Sequence, residues 1–274
     1  MNIVQISDTH LSAGVDSAES NWALARDWIN KAQPDLVVHT GDISLNGAGE
    51  VSDLDHARRR LDELTVEWLA VPGNHDIGAA TSSVQPITSE RQEAYRSRFG
   101  TGFWSVRRSG WHLIGIDCQT LASTVTDSEQ WWDWLTSTIS DEGPTALFSH
   151  RPLLPQPGHR HCEGLDESDM WFIQQPWRAR LASLVNNNDV RLFASGHLHQ
   201  GHSWADGSTL HVWAPTVWAS VSDDMQTVVG TKSLGLAQHD LSGDGVVSSF
   251  ITVPGLPELI LGVNLDSPYD RLFA

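Results

Sequence analysis

Cysteine is scarce in this sequence. Only Cys118 and Cys162 occur among 274 residues, which excludes a disulfide-stapled fold and a cysteine-rich metal site. The chain also lacks any apolar run of the roughly 18 residues that a membrane-spanning helix requires. Its first ten residues, MNIVQISDTH, have neither the basic start nor the long apolar centre of a secretion signal. These absences predict a cytoplasmic protein with reduced thiols and no membrane partner.

Basic residues are also few. The chain has 17 Lys and Arg residues against 34 Asp and Glu residues, which gives a formal net charge of −17 with His neutral. Such a charge repels a polyanionic backbone, so we expect no nucleic-acid polymer as a partner. Hydrophobic residues, by contrast, make up 40% of the chain, which is enough for a large core. Histidine and tryptophan are plentiful, with 13 residues of each, and the sequence leaves open whether the chain forms a homo-oligomer.

Short apolar runs alternate with amphipathic stretches over the first two thirds of the chain. The runs have the length and composition of buried strands and lie at residues 3–6, 36–39, 67–71, 111–116, 145–149 and 191–194. Apolar residues at helical spacing predict helices over residues 21–32, 54–64 and 128–139. This alternation is typical of an α/β sheet covered by helices.

The pattern changes after residue 201. Two pairs of strand-like runs, 203–205 with 209–213 and 236–241 with 246–252, flank turn sequences and predict β-hairpins. Residues 254–274 contain three prolines and are predicted to form an extended tail. Because no long linker or repeat interrupts the chain, we predict a single domain over residues 1–274.

Five of the apolar runs end in polar clusters. The clusters are Asp8-Thr9-His10, Gly41-Asp42, Gly73-Asn74-His75-Asp76, His150 and Gly196-His197-Leu198-His199. In α/β sheets ligands bind beyond the carboxyl ends of the strands, so these clusters can converge. They offer oxygen and nitrogen donors without a thiolate, a mixture that suits Mn, Fe, Zn or Co better than Ca or Cu(I). The donors are too many for one tetrahedral ion, and they suit two ions that share a carboxylate.

The order of these motifs resembles that of the calcineurin-like metallophosphoesterase superfamily. The similarity runs from residue 8 to residue 199, and the sequences SHRP at 149–152 and SGHLHQ at 195–200 resemble bacterial class III cyclic-nucleotide and glycerophosphodiester phosphodiesterases. The resemblance implies a layered α/β/β/α sandwich with its active site at the carboxyl ends of the strands. It also implies a metal-dependent phosphoric ester hydrolase.

The resemblance assigns a role to each motif residue. Asp8, His10 and His199 would hold one ion, Asn74, His150 and His197 would hold a second, and Asp42 would bridge the two. A hydroxide that bridges the ions would attack phosphorus in line with the leaving oxygen. His75 resembles the family's non-ligand histidine near the leaving group. Asp76 would either orient His75 or cap a helix start.

The implied substrate is a small phosphodiester, either a cyclic nucleotide or a glycerophosphodiester-like compound. The alternatives are a phosphomonoester, a phosphoprotein or a nucleic-acid end acted on by the same centre, or a metal-binding scaffold without catalysis. Residues 153–175 follow His150 directly, so this loop could face the substrate. Within it, His159, His161 and Glu163 could instead form a third metal site or an ordinary polar loop.

Other residues carry weaker expectations. His39 lies inside a strand run and is predicted to be packed. His211 has no motif partner and is predicted to be structural, with the rim of the pocket as a weak alternative. Trp132 points away from the apolar stripe of its predicted helix and is a candidate for a dimer contact.

Overall fold

Two β-sheets form the centre of the molecule. The computed structural model describes residues 1–123, 128–139, 143–157, 171–243 and 245–266. In chain order the strands are β1 (Asn2–Ile6), β2 (Leu36–His39), β3 (Trp68–Ala70), β4 (Trp104–Arg108), β5 (Trp111–Ile116), β6 (Thr145–Ser149), β7 (Val190–Ser195), β8 (His202–Asp206), β9 (Thr209–Trp213), β10 (Ser220–Val221), β11 (Leu236–Ser242), β12 (Gly245–Ile251) and β13 (Ile260–Leu261).

Both sheets are mixed: the five-stranded sheet has one antiparallel edge and the six-stranded sheet has two. The five-stranded sheet has the order β12-β11-β1-β2-β3, in which β1, β2 and β3 are parallel. The six-stranded sheet has the order β4-β5-β6-β7-β9-β8, in which β5, β6, β7 and β9 are parallel. The strands β10 and β13 form a separate parallel pair. The carboxyl ends of the central parallel strands carry the polar motifs.

The helices cover the outer faces of the two sheets. In chain order they are α1 (Asp16–Ala32), α2 (Val51–Leu61), α3 (Asn74–Ile77), α4 (Ser89–Phe99), α5 (Cys118–Leu121), α6 (Ser128–Thr138) and α7 (Trp177–Asn186). One apolar cluster packs α1, α2 and α4 against the five-stranded sheet, and a second packs α6 and α7 against the six-stranded sheet. A third cluster joins the facing sides of the two sheets. The predicted α/β/β/α sandwich is therefore confirmed.

Burial of one helical face explains the position of α1. Trp22, Ala25 and Ile29 recur at helical spacing and are buried against the five-stranded sheet. The helix begins five residues earlier than the apolar pattern predicts. Asp16 and Glu19 occupy its first turn, where their negative charges interact favourably with the positive end of the helix dipole. Within the described residues no helix is long and apolar enough to cross a bilayer.

Several elements were not predicted from the sequence or differ from the prediction. The helices α4 and α7 and the edge strand β4 had no prediction. Part of the predicted extended tail forms β13, and residues 267–274 lie outside the described residues. Trp132 packs beside Trp177, and the guanidinium of Arg180 lies 4.4 Å from the centre of the Trp132 ring.

Candidate metal centre

The carboxyl ends of five strands converge on one site. Asp8 and His10 follow β1, Asp42 follows β2, and Asn74 follows β3. His150 follows β6, and both His197 and His199 follow β7, so each sheet contributes ligands. Two groups of side chains have donor atoms within 4.8 Å of one another and share no member: Asp8, His10 and His199, and Asp42, His150 and His197. A third such group, His10, Asp42 and His75, overlaps both. Local sequence places each ligand, and the sandwich brings the groups together.

The first group is built around His199. Its Nδ1 donates a hydrogen bond to the carbonyl of Ala219 at 2.6 Å, so the neutral ring carries its lone pair on Nε2. That Nε2 atom lies 3.3 Å from Nε2 of His10 and 3.3 Å from Oδ1 of Asp8. The other oxygen of Asp8, Oδ2, accepts a hydrogen bond from the backbone N–H of His197 at 3.0 Å. One carboxylate oxygen is therefore held by the backbone while the other faces the two imidazoles.

The second group is built around His150. Its Nδ1 donates to the carbonyl of Thr40 at 2.8 Å, which leaves the lone pair of the neutral ring on Nε2. Nε2 lies 3.2 Å from Oδ1 of Asn74 and 3.3 Å from Oδ2 of Asp42. The ring centroid of His197 is 4.7 Å from that of His150. The carbonyl oxygen of Asn74 thus joins this group, as the resemblance implies.

Asp42 lies between the two groups. Its Oδ1 accepts a hydrogen bond from the backbone N–H of His75 at 2.8 Å, which fixes the carboxylate. Its Oδ2 faces Nε2 of His150 at 3.3 Å in one group and Nε2 of His10 at 3.9 Å in the other. A carboxylate oxygen in this position can contact a cation in either group.

The donor atoms are oriented so that a cation between them would be favourable. Backbone carbonyls accept hydrogen bonds only, so they hold Nδ1–H of both His150 and His199 and turn the Nε2 lone pairs toward carboxylate oxygens. Lone pairs that face carboxylates repel unless a proton or a metal ion lies between them. The imidazole, amide and carboxylate donors fit Mn, Fe, Zn or Co. The residues present therefore fit divalent metal binding.

The pKa values of His150 and Asp42 reflect the close approach of imidazole and carboxylate groups at the site. Burial alone would lower the pKa of His150, but the charge of Asp42 and the hydrogen bond to it, with Asp8, raise that pKa to about 9. Burial would raise the pKa of Asp42, but His150 and His75 hold it well below its usual value. Without metal, a proton on His150 is thus the stable state of this pair. A metal ion held by His150 and Asp42 would take the place of that proton.

His75 and Asp76 are placed differently from one another. Nδ1 of His75 donates to the carbonyl of Leu45 at 2.8 Å, and Nε2 lies 4.0 Å from Oδ2 of Asp42. Asp76 is buried, and its carboxylate accepts hydrogen bonds from the backbone N–H groups of Ile43, Ser44 and Gly73 and from the Ser44 hydroxyl. These bonds tie the loops after β2 and β3 together. The structure therefore favours the capping role for Asp76 over contact with the His75 ring.

The backbone at the site is left-handed at most of the ligands. Five of the seven predicted ligands have positive φ angles: Asp8 (54°), His10 (46°), Asp42 (50°), His197 (69°) and His199 (53°). L-residues other than Gly and Asn rarely adopt this conformation, although Asp and His tolerate it better than branched residues. Such strain at converging loops is typical of functional sites.

Two glycines allow the ligand loops to approach closely. A Cβ atom on Gly41, whose φ is +91°, would lie 2.6 Å from Nδ1 of His150. A Cβ atom on Gly73 would lie 2.0 Å from Oδ1 of Asp42. Both distances are below van der Waals contact, so a side chain at either position would displace a ligand.

A cavity of about 570 Å³ opens beside the ligands. Asp42, Asn74, His75, His197 and His199 form part of its lining. The other residues along its wall are Ala79, Thr81, Ser82, Arg151, Trp171, Val221, Met225 and Leu261. Arg151 directly follows His150, and Trp171 lies in the segment 153–175 that the sequence predicts could face the substrate. The others come from segments that the sequence did not single out.

The remaining candidates lie elsewhere. His39 is buried in β2, where its ring contacts the Thr9 hydroxyl at 2.9 Å, as expected for a packed residue. His211 is buried and its ring stacks on that of Trp204 at 5.0 Å, which agrees with the structural role predicted for it and not with the alternative at the pocket rim. His159, His161 and Glu163, with most of the loop 153–175, lie outside the described residues.

The fold and the site define a metal-dependent phosphoesterase. The family described as Calcineurin-like phosphoesterase matches residues 1–201, and the chain belongs to this family. It is 25% identical over 247 residues to a probable cyclic nucleotide phosphodiesterase of Synechococcus, a match that covers 86% of this chain and 88% of that protein. It is 28% identical over 218 residues to a glycerophosphodiester phosphodiesterase of Enterobacter lignolyticus, covering 73% of this chain and 71% of the relative.

A solved structure shows the same fold. The dimetal phosphatase from Danio rerio superposes with a TM-score of 0.64 at 15% sequence identity, and the match covers 91% of this chain and 95% of that one. At this identity the likeness supports the sandwich architecture alone.

Proposed function

We propose that this chain hydrolyses small phosphodiesters at a centre of two divalent metal ions. The observation that carries the proposal is the position of Asp42, whose Oδ2 faces ligand groups on both sides. Asp8, His10 and His199 would hold one ion, and Asn74, His150 and His197 would hold the other. Mn, Fe, Zn and Co suit these donors equally well in type. When bound, two such ions supply a hydroxide nucleophile at neutral pH and neutralise charge that develops on the phosphate oxygens.

Residues around the ligands position the ester. Arg151 lines the cavity, and its guanidinium can bind a phosphate oxygen of the ester that is not held at the metal centre. His75 lines the same cavity with Nδ1 held by the Leu45 carbonyl, so Nε2 is directed toward the ester. We assign the protonation of the leaving oxygen to the imidazolium form of His75, which gives up its Nε2 proton and keeps Nδ1–H on the Leu45 carbonyl. Asp76 holds the loops that present Asp42 and His75.

The relatives favour a diester over a monoester. They are named for cyclic nucleotides and for glycerophosphodiesters. Both substrates have one negative charge and two ester arms, and a cavity of about 570 Å³ accommodates molecules of this size. The strongly acidic chain opposes long polyanions but leaves small phosphoesters free to enter. Phosphomonoesters remain the alternative substrate class of the same centre.

Replacing Asp42 tests the proposed centre. Asp42→Ala removes the oxygen that faces both groups, so we expect loss of metal and at least about a 100-fold loss of activity together. Metal content is measured by elemental analysis after loading and desalting, and activity on bis(4-nitrophenyl) phosphate. His202→Ala serves as the control, because His202 lies on β8, where its ring contacts Gln156, and we expect it to keep both. Two fully bound ions in Asp42→Ala would overturn the bridging assignment.

A panel of esters tests the substrate class. We expect the metal-loaded enzyme to hydrolyse cyclic nucleotides or glycerophosphodiesters faster than the corresponding monoesters. A preference for the monoesters would replace the diester proposal with the alternative.

A further inference from the structure

A short ribbon of two strands forms one wall of the cavity. β10 and β13 pair in parallel, and Val221 lies directly opposite Leu261 in their register. Both residues line the cavity, together with Met225, which follows β10. We refer to Val221, Met225 and Leu261 as the apolar wall.

The ribbon is attached to a predicted metal ligand. The carbonyl of Ala219, directly before β10, accepts the Nδ1–H hydrogen bond of His199 at 2.6 Å. The backbone N–H of Ser220 then donates to the carbonyl of Leu259 at 2.9 Å, which ties the two segments together. The apolar wall therefore lies at a defined position relative to the metal centre.

The core supports the ribbon from behind. Leu261 is buried in a cluster with Leu45 and Trp218, and Val221 packs against the same cluster while remaining partly exposed. On the neighbouring side, the ring of Trp171 lies 5.7 Å from that of His197 and also lines the cavity. The lining of the cavity thus combines polar ligand residues with apolar side chains.

The apolar wall leaves hydrophobic surface in contact with water. Met225 is 59% exposed although it lies beside a centre built for an anion. A phosphate group gains nothing from contact with Val221 or Met225, because these side chains offer no hydrogen bonds or charge. An apolar group attached to the phosphate would gain from displacing that water.

We propose that the apolar wall is a subsite for an apolar ester group about the size of an aromatic ring. The inference rests on the proposed function and specifies its substrates: diesters with such a group are bound better than diesters whose arms are polyols such as glycerol. The ribbon lies beyond residue 201, where the family match ends. The subsite is therefore a selectivity element that the catalytic motifs do not include.

Binding of three monoesters to the metal-loaded enzyme isolates the contribution of the apolar group. Methyl phosphate, glycerol 3-phosphate and benzyl phosphate carry the same phosphate and differ in the attached group. We expect calorimetry to show benzyl phosphate binding at least about tenfold more tightly than either of the others, because only its ring can bury apolar surface. Equal affinities for all three would overturn the subsite while leaving the proposed function in place.

Substitutions in the apolar wall test whether the tighter binding of benzyl phosphate arises there. Val221→Ser and Met225→Ser alter partly exposed side chains, so we expect folded proteins with unchanged metal content and unchanged affinity for methyl phosphate. The advantage of benzyl phosphate should fall to about threefold or less in the double variant. Val247→Ser is the matched control, since Val247 is 69% exposed on β12, and it should keep the full advantage.

Hydrolysis provides a second readout. Benzyl 4-nitrophenyl phosphate and glyceryl 4-nitrophenyl phosphate share a leaving group, so the ratio of their kcat/KM values reports the other arm. We expect the ratio to favour the benzyl ester in the wild type and to fall in the double variant. A benzyl advantage that survives the double variant would overturn the assignment to the ribbon. If the metal-loaded enzyme neither binds nor hydrolyses any of the esters, the proposed function fails, and the subsite fails with it.

Discussion

At the scale of single residues, the left-handed ligands carry an energetic cost. His10 has a φ of 46°, a conformation in which the Cβ atom crowds the following carbonyl. The cost is of order 1–2 kcal/mol for each such residue, and hydrogen bonds from His10 and Asp8 to the loop after β2 maintain the conformation. Stability is thus given up at the positions where ligands are needed.

Two substitutions at His10 measure this cost. His10→Ala and His10→Gly both remove the imidazole, but glycine adopts positive φ without strain. We therefore expect metal-free His10→Gly to be more stable than metal-free His10→Ala by about 1 kcal/mol. Urea unfolding measures the difference. At exposed Arg59 in α2 the order should reverse, because glycine costs about 1 kcal/mol relative to alanine within a helix. Equal stabilities at His10 would contradict the strain argument.

His75 provides a second test at this scale. A general acid matters most for poor leaving groups, so His75→Ala should lose about 10²–10⁴-fold on an alkyl or cyclic diester. It should keep most of its activity on a nitrophenyl diester, whose leaving oxygen needs no proton. Metal content is measured on the same variant, because Nε2 of His75 lies 4.0 Å from Oδ2 of Asp42. Loss of metal would instead make His75 a ligand, and equal losses on both substrates with full metal would refute the acid role.

At the scale of elements, the loop between β3 and α3 controls the position of Asp42. Gly73→Ala would place a Cβ atom 2.0 Å from Oδ1 of Asp42, so the carboxylate or the loop must move. We expect metal affinity to fall at least about tenfold, with little change in the circular dichroism of the sheets. Metal titration measures the affinity. Gly14→Ala is the control, since nothing lies within 4 Å of its Cβ position, and unchanged affinity in Gly73→Ala would contradict the crowding argument.

Elements were predictable where burial governs the sequence. β2, β5 and β6 coincide with continuous apolar runs because both of their faces are covered. α4 escaped prediction because its sequence, SERQEAYRSRF, has no apolar stripe, and its buried residues are Gln92 and Tyr95. The ribbon of β10 and β13 escaped because two residues per strand show no periodicity.

The candidate site was likewise predictable from the sequence only in part. Short motifs such as Asp-x-His and Gly-His-x-His identified the ligand candidates, because metal coordination demands particular side chains. The apolar wall could not be found in this manner. Val221 and Leu261 are ordinary residues 40 positions apart, and only the strand pairing brings them together.

At the scale of the whole molecule, buried histidines limit stability on the acid side. Burial lowers the pKa of His39 to about 3 and those of His211 and His239 to about 4. An unfolded histidine titrates near pH 6.5, so the unfolded state gains protons first as the pH falls. The stability that these residues contribute is complete above about pH 6.5 and is lost progressively between pH 6.5 and pH 4.

The metal centre limits stability on the alkaline side. The pKa of His150 is raised to about 9, so its contribution is complete below pH 6.5 and is lost as the pH rises through 9. We expect the metal-free protein to have its highest Tm near pH 6.5, and the free energy of unfolding to fall by at least about 1 kcal/mol toward pH 9. Mn²⁺ should abolish the alkaline decline, because the cation takes the place of the proton.

Scanning calorimetry from pH 4 to pH 9, with and without Mn²⁺, measures the loss of stability at acid and at alkaline pH. His150→Asn should weaken the alkaline decline and keep the acid one; the part that remains would come from His199, whose pKa Asp8 raises against the effect of burial. A metal-free protein whose Tm rises steadily to pH 9 would contradict the predicted charge state of His150.

The distribution of ligands over both sheets also bears on how the chain folds. The first group joins Asp8 to His199, so its members are separated by 191 residues, and loop closure over that distance is slow compared with local pairing. Neither group can assemble before β7 has docked beside β6 and the two sheets have met. Metal binding should therefore occur late in folding. The rate at which a refolding chain binds its ions would report when the sandwich is complete.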